Sequence, residues 1–233
     1  MIQTLPTREA WAEAVAARLA AALAGALAAD GRALFAGSGG STPSPIYARL
    51  SEADLDWARV TATLVDERYV PEASPDSNAA LLKRTLLTGP AAAARFIPLY
   101  SPAVTVDRAA ALASQALAAE GRALDAVLLG MGEDGHICSM FPGSPTLTTL
   151  LTPGLKPAVY GVPAGRDGAA PPQERLTLNL PWLAGVRCVV LALTGANKRA
   201  VFEREATGDP AVSPVAALIA ANAPLEVFWT EAG

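Results

Sequence analysis

Asp125-Ala126-Val127-Leu128-Leu129-Gly130-Met131-Gly132-Glu133-Asp134-Gly135-His136-Ile137-Cys138-Ser139-Met140-Phe141-Pro142-Gly143 opens as an apolar run and breaks into a glycine-rich turn with two acids and the chain's single histidine. The apolar run reads as a buried strand. Open α/β sheets bind their ligands where such strands end in glycine turns, and an imidazole is the side chain whose proton exchange falls near neutral pH. The stretch therefore predicts an α/β fold with its chemistry at the His136 turn.

Working outward, strand-like and helical patterns alternate. On the N-terminal side, Thr7–Ala29 is an alanine-rich helix with Thr7 as N-cap and Glu9 and Glu13 near its positive end. Arg32–Ala36 is a short strand, Ser44–Leu50 a helix, and Val60–Val65 a β-branched strand. Ser77–Leu87 and Thr105–Glu120 are helical, the second stopped by Gly121, with a short extended piece at Phe96–Leu99 between them. Beyond the turn, strands are expected at Ala158–Val162, Arg175–Leu178, Arg187–Leu193 and Leu225–Trp229. Helices are expected at Asn179–Ala184, from Lys198 to about Ala206, and at Pro214–Ala221. This alternation predicts one mostly parallel sheet covered by helices on both faces. No linker or repeat divides the chain, so residues 1–233 are expected to form a single domain.

Composition narrows the functional classes. The chain is 233 residues long with a formal net charge of -4, and no basic run could track a phosphate backbone, so a nucleic-acid partner is not expected. The most membrane-like stretch, Ala10–Ala29, contains Glu13 and Arg18 and is bounded by Arg8 and Asp30-Gly31, so it reads as a packed helix rather than a span or signal. Two cysteines, Cys138 and Cys188, make no disulfide framework and fit a reducing, cytoplasmic setting.

Gly37-Ser38-Gly39-Gly40-Ser41-Thr42 follows a strand and precedes a helix. Glycines let a backbone approach an anion, and the hydroxyls add donors; phosphate binding and a plain tight turn both fit. Arg68 and Lys198 sit at expected strand ends, whereas Arg175 precedes its strand, so the end of the sheet it faces is open. Gly130 to Gly135 spells G-x-G-x-x-G, but Pro142 and Pro145 interrupt the helix that a dinucleotide site needs, and no acid lies between His136 and Arg166 to hold a ribose. His136 with Asp134 two residues away suits acid–base work instead. The single histidine and two distant cysteines supply no metal site, and no cofactor is expected.

Taken in order, these motifs resemble the family of 6-phosphogluconolactonases and glucosamine-6-phosphate deaminase/isomerases. Ser38–Pro43 is similar to its sugar-phosphate loop, Asp66-Glu67-Arg68-Tyr69-Val70-Pro71 and Ser77-Asn78 to the lactonase form of its second motif, and Gly130–Gly143 to its histidine signature. Arg175-Leu176-Thr177 and Gly195-Ala196-Asn197-Lys198 resemble its late basic motifs. The resemblance implies a Rossmann-like three-layer sandwich of the sugar-phosphate isomerase type and a small-molecule sugar-phosphate lactone as substrate. It implies that His136 activates water, oriented by Asp134, and that Gly39, Gly40, Ser41, Thr42, Asp66, Arg68, Asn78, Gly132, Arg175 and Lys198 bind substrate. Lys198 is the first choice for the phosphate and Arg175 the second. The deaminase branch carries Asp-Gly-His-Ile-Ala-Phe-Asn-Glu-Pro, whose glutamate assists the histidine; here Phe141 stands at that position, and Arg68 stands where deaminases have tyrosine. Cys138 departs from the usual small residue and is expected to be accommodated by burial. A deaminase-like enzyme and a non-catalytic sugar-phosphate sensor remain as alternatives, and the oligomeric state is not readable.

Overall fold

The structure, a computed structural model, describes residues 2–103, 105–165 and 172–232. In chain order the elements are β1 (Ile2–Leu5), α1 (Arg8–Asp30), β2 (Ala33–Gly37), α2 (Ser44–Leu50), β3 (Val60–Leu64), β4 (Asp66–Arg68), α3 (Asn78–Thr85), β5 (Arg95–Phe96) and α4 (Val106–Ala118). They continue with β6 (Ala126–Leu129), α5 (Leu147–Leu151), β7 (Val159–Val162), β8 (Arg175–Leu178), α6 (Leu180–Ala184), β9 (Val189–Thr194), α7 (Ala196–Glu205), α8 (Pro214–Ala220) and β10 (Leu225–Thr230).

Local chemistry sets the helix ends. Thr7, Ser77, Thr105 and Ser213 each accept a backbone N–H three residues on, the hydrogen bond of an N-cap. Gly31 ends α1 at φ 69°, a left-handed conformation that glycine takes without strain, and returns its N–H to the Leu27 carbonyl. The strands β2, β3 and β6 are buried at every residue, as expected of strands covered on both faces.

Seven strands form one wholly parallel sheet in the order β1-β10-β9-β6-β2-β3-β5. Helix α1 packs across β1, β10, β9, β6 and β2, while α7 packs on β9 and α8. By length and composition α1 is apolar enough to cross a bilayer. Here Trp11, Val15, Leu19 and Leu23 are fully buried, and Trp11 Nε1 donates to the Phe228 carbonyl of β10 at 3.1 Å. The chain passes from β2 to β3 on one side and returns with β6 on the other, so β2 and β6 flank the point where strand order reverses.

The sequence did not predict a second, antiparallel sheet, β4-β8-β7. Asp66-Glu67-Arg68 reads as a polar loop, and only pairing with distant Arg175-Leu176-Thr177 makes it a strand. Two further elements lay outside the expectations. β1 is a four-residue edge strand that depends on β10, and α5 carries two threonines but buries Leu147, Leu150 and Leu151. The other boundaries move by a few residues, and the extended piece expected at Phe96–Leu99 is a strand only at Arg95–Phe96. Residues 166–171 of the Pro/Gly-rich stretch lie outside the described residues.

Candidate active site

A cleft of about 340 Å³ opens at the carboxyl ends of β2, β6 and β9. Every residue the sequence proposed for the site lines it except Asp134, which stands behind His136. Met131, Cys138 and Phe141 complete the wall on the histidine side.

The turn after β6 holds the imidazole from two sides. Gly132 N–H donates to the His136 carbonyl at 2.8 Å, and Gly135 N–H to the Gly132 carbonyl at 3.2 Å. Asp134 Oδ1 accepts from the His136 backbone N–H at 3.2 Å and lies 2.6 Å from its Nδ1. A carboxylate accepts only, so Nδ1 carries the proton in the neutral ring and Nε2 keeps its lone pair. Burial acts to raise the Asp134 carboxyl, but its hydrogen bond and charge interaction with His136 hold it below the ordinary carboxylate value. A side chain at Gly132 is excluded, because its Cβ would stand 2.2 Å from His136 Nδ1. Phe141 packs against the imidazole with ring centroids 4.4 Å apart. Cys138 adopts a left-handed φ of 52° and is buried, and burial pushes its thiol well up, so it packs rather than reacts.

The loop after β2 is shaped by the same logic. A Cβ at Gly39 would meet Asn78 Oδ1 at 1.9 Å, and Gly40 has φ 90°. Tyr47, buried in α2, donates its hydroxyl to the Ser38 carbonyl at 2.7 Å and fixes the loop's first residue. Asn78 is set in turn by Glu67 of β4, which is fully buried against the first residues of α3. Glu67 accepts the backbone N–H of Arg68 (2.7 Å), Asn78 (2.8 Å) and Ala79 (2.7 Å) and the hydroxyl of Ser77 (3.1 Å). Burial raises its pKa against those four donors. Glu67 is therefore a fastening for α3, a role its place in the second motif did not disclose.

The cations converge. Arg68 on β4 faces Arg175 on β8 in the antiparallel register, which brings Arg175 into the cleft from a strand that begins rather than ends there. Each has a buried Nε that finds no acceptor among the described residues. Burial pushes the Arg175 guanidinium down; the Asp66 charge opposes this and the Arg68 charge adds to it. Two like charges with donor capacity to spare form a site that an anion would stabilise. Lys198, half-buried in the first turn of α7, donates to the Met131 carbonyl. Burial lowers its pKa, while Glu133 and Asp134 act to raise it. Asp66 is buried between Asn78 and Ser139, whose hydroxyl donates to its Oδ2 at 2.6 Å. The sequence did not single out Ser139, although a hydroxyl among Ile137, Cys138, Met140 and Phe141 was a signal for a buried polar contact.

The model of the glucosamine-6-phosphate isomerases/6-phosphogluconolactonase family matches residues 6–229. The chain belongs to this family. Among its relatives in the family, a 6-phosphogluconolactonase of Rhizobium meliloti is 45% identical over 95% of this chain and 93% of its own. One of Mesorhizobium japonicum is 42% identical over 96% and 92%. The crystal structure of a 6-phosphogluconolactonase from Shewanella baltica superposes with a TM-score of 0.90 at 33% identity, covering 99% of this chain and 97% of that one. The Phe141 ring packs on the imidazole, and among the described residues the carboxylate that reaches His136 is that of Asp134.

Proposed function

We propose that this chain is a 6-phosphogluconolactonase, which hydrolyses 6-phospho-D-glucono-1,5-lactone to 6-phospho-D-gluconate in the oxidative branch of pentose phosphate metabolism. Relatives bearing that name match it over nearly their whole length, and the site has the chemistry the reaction needs. The observation that carries the mechanism is the 2.6 Å contact of His136 Nδ1 with Asp134, which in the neutral ring assigns the proton to Nδ1 and the lone pair to Nε2.

In this reading Nε2 takes a proton from water as the water oxygen bonds to the lactone carbonyl carbon. The tetrahedral intermediate collapses with cleavage of the bond between that carbon and the ring oxygen, which receives the proton from Nε2. Asp134 stabilises the imidazolium formed between the two steps. The glycine loop at Gly39–Thr42 and Lys198 receive the 6-phosphate, so that remote binding positions the ring for attack. Arg68 and Arg175 supply the further donors for substrate oxygens. Gly132 leaves room for the Asp134–His136 pair, and Asn78 and Asp66 frame the sugar. Residues 1–233 act as one lactonase-like domain, and we place it in the cytoplasm, where Cys138 and Cys188 stay as free thiols.

The assay is lactone opening measured against the rate without protein. His136→Ala is expected to lower kcat by about 10²- to 10⁴-fold, the usual worth of acid–base catalysis. Full activity in that variant overturns the mechanism, and turnover of glucosamine 6-phosphate by the unaltered protein overturns the choice of branch. Lys198→Ala is expected to raise KM about tenfold or more with a smaller change in kcat, since it removes a charge-assisted contact made before the chemistry.

A further inference from the structure

Asp66 is a buried carboxylate on the cleft wall for which lactone hydrolysis requires no proton transfer. Its surroundings show what holds it. Oδ2 accepts from Ser139 Oγ at 2.6 Å, and Oδ1 has only a long contact, 3.5 Å, from Asn78 Nδ2. Ser139 is fully buried, and its own backbone N–H donates to Thr177 Oγ1 at 3.1 Å. Thr177 is the residue paired with Asp66 across β4 and β8. Ser139 thus docks on both members of one cross-strand pair. Only Ile137 and Cys138 separate it from His136, with Cys138 in the left-handed turn. On its other side Asp66 takes Asn78 Nδ2 on its carbonyl at 2.9 Å, and Asn78 is the side chain against which Gly39 closes. The histidine loop, the small sheet and the phosphate loop therefore meet at Asp66.

We propose that Ser139 is a positioning residue that sets substrate recognition through Asp66. Its hydroxyl occupies one carboxylate oxygen and fixes the rotamer in which the other, Oδ1, accepts a hydrogen bond from a ring hydroxyl of the sugar lactone. The inference rests on the lactonase reading. A carboxylate oxygen with spare acceptor capacity, on a cleft wall otherwise rich in donors, matches the O–H of a polyol hydroxyl, a donor that the Lys and Arg groups cannot accept. The contact exists in both the bound lactone and its transition state, so it contributes to KM rather than kcat.

The experiment compares S139A, D66N and the double variant on 6-phosphogluconolactone and its 2-, 3- and 4-deoxy analogues. S139A removes one hydroxyl and adds nothing, and is expected to raise KM roughly tenfold with kcat within about twofold, the usual worth of a hydrogen bond to a charged group. In the D66N background the same substitution is expected to add less than about twofold, because the two residues act as one unit. On the unaltered protein one deoxy lactone is expected to show a KM raised by a similar factor, and S139A is expected to lose most of that discrimination. A merely structural Ser139 would instead lower the melting temperature and the yield of active enzyme with KM unchanged, which overturns the proposal. Equal KM for all three deoxy lactones on the unaltered protein overturns it without any variant. Lactone opening no faster than in water by the unaltered protein overturns the functional reading itself, whereas active protein with an unaltered KM in S139A overturns the role of Ser139 alone.

Discussion

In the proposed mechanism one contact of 2.6 Å, between Asp134 Oδ1 and His136 Nδ1, leaves Nε2 as the nitrogen that meets the substrate. Held below its ordinary value, the Asp134 carboxyl is ionised throughout the range in which an imidazole titrates. Asp134→Asn takes the carboxylate away from Nδ1 and is expected to lower kcat/KM about ten- to hundredfold. An unchanged kcat/KM would remove Asp134 from the mechanism. The same depressed value means that the pairing stabilises the fold above the ordinary carboxylate range and ceases to do so as pH falls through the folded value. Gly132→Ala puts a methyl where Nδ1 and Asp134 Oδ1 already lie, at 2.2 and 2.3 Å, and is expected to abolish most activity while the circular dichroism stays native. The Asp134–His136 pair was legible because two residues in one turn cannot avoid each other. Ser139 was not, because its partner Asp66 lies on another strand and no local pattern couples them.

At the scale of elements, the glycine loop after β2 and the histidine loop after β6 were legible because their apolar strands and glycines are contiguous in sequence. The small sheet was hidden, since three polar residues show no strand period until β8 pairs with them. That pairing answers what was open about Arg175: an antiparallel neighbour presents its first residue to the cleft, where a parallel strand would present its last. Helix α3 depends on Glu67 in the same non-local way. Glu67→Gln turns an amide donor toward groups that themselves donate and is expected to cost about 2–4 kcal/mol of stability. Urea denaturation checks it, and a cost below about 0.5 kcal/mol would show that the four donors find other partners.

Over the whole molecule, the parallel sheet followed from the alternation of strand and helix, yet the edge strand β1 did not, because its four residues gain meaning only beside β10. The end of the sheet opposite the cleft is fastened by charge. Asp125 is buried and accepts Leu34 N–H at 2.8 Å and Arg122 Nη2 at 2.7 Å, while Arg122 and Arg187 also pair with Asp30. Asp125→Ala leaves Arg122 without its buried partner and is expected to cost about 3–5 kcal/mol. At this chain length that is a fall in melting temperature of about 10 °C. KM and the kcat of the folded fraction are expected to be unchanged, since the substitution lies away from the cleft; a raised KM would show that the two ends of the sheet are coupled. The register of Ile2 opposite Val227 carries one more consequence. Among the described residues β1 has no strand partner but β10, so during synthesis on the ribosome β1 emerges long before β10 and must wait for it before it can dock. Until then β9, too, has an open edge, and a nascent chain stalled short of Leu225 exposes two unpaired strands to chaperones, proteases or other copies of itself.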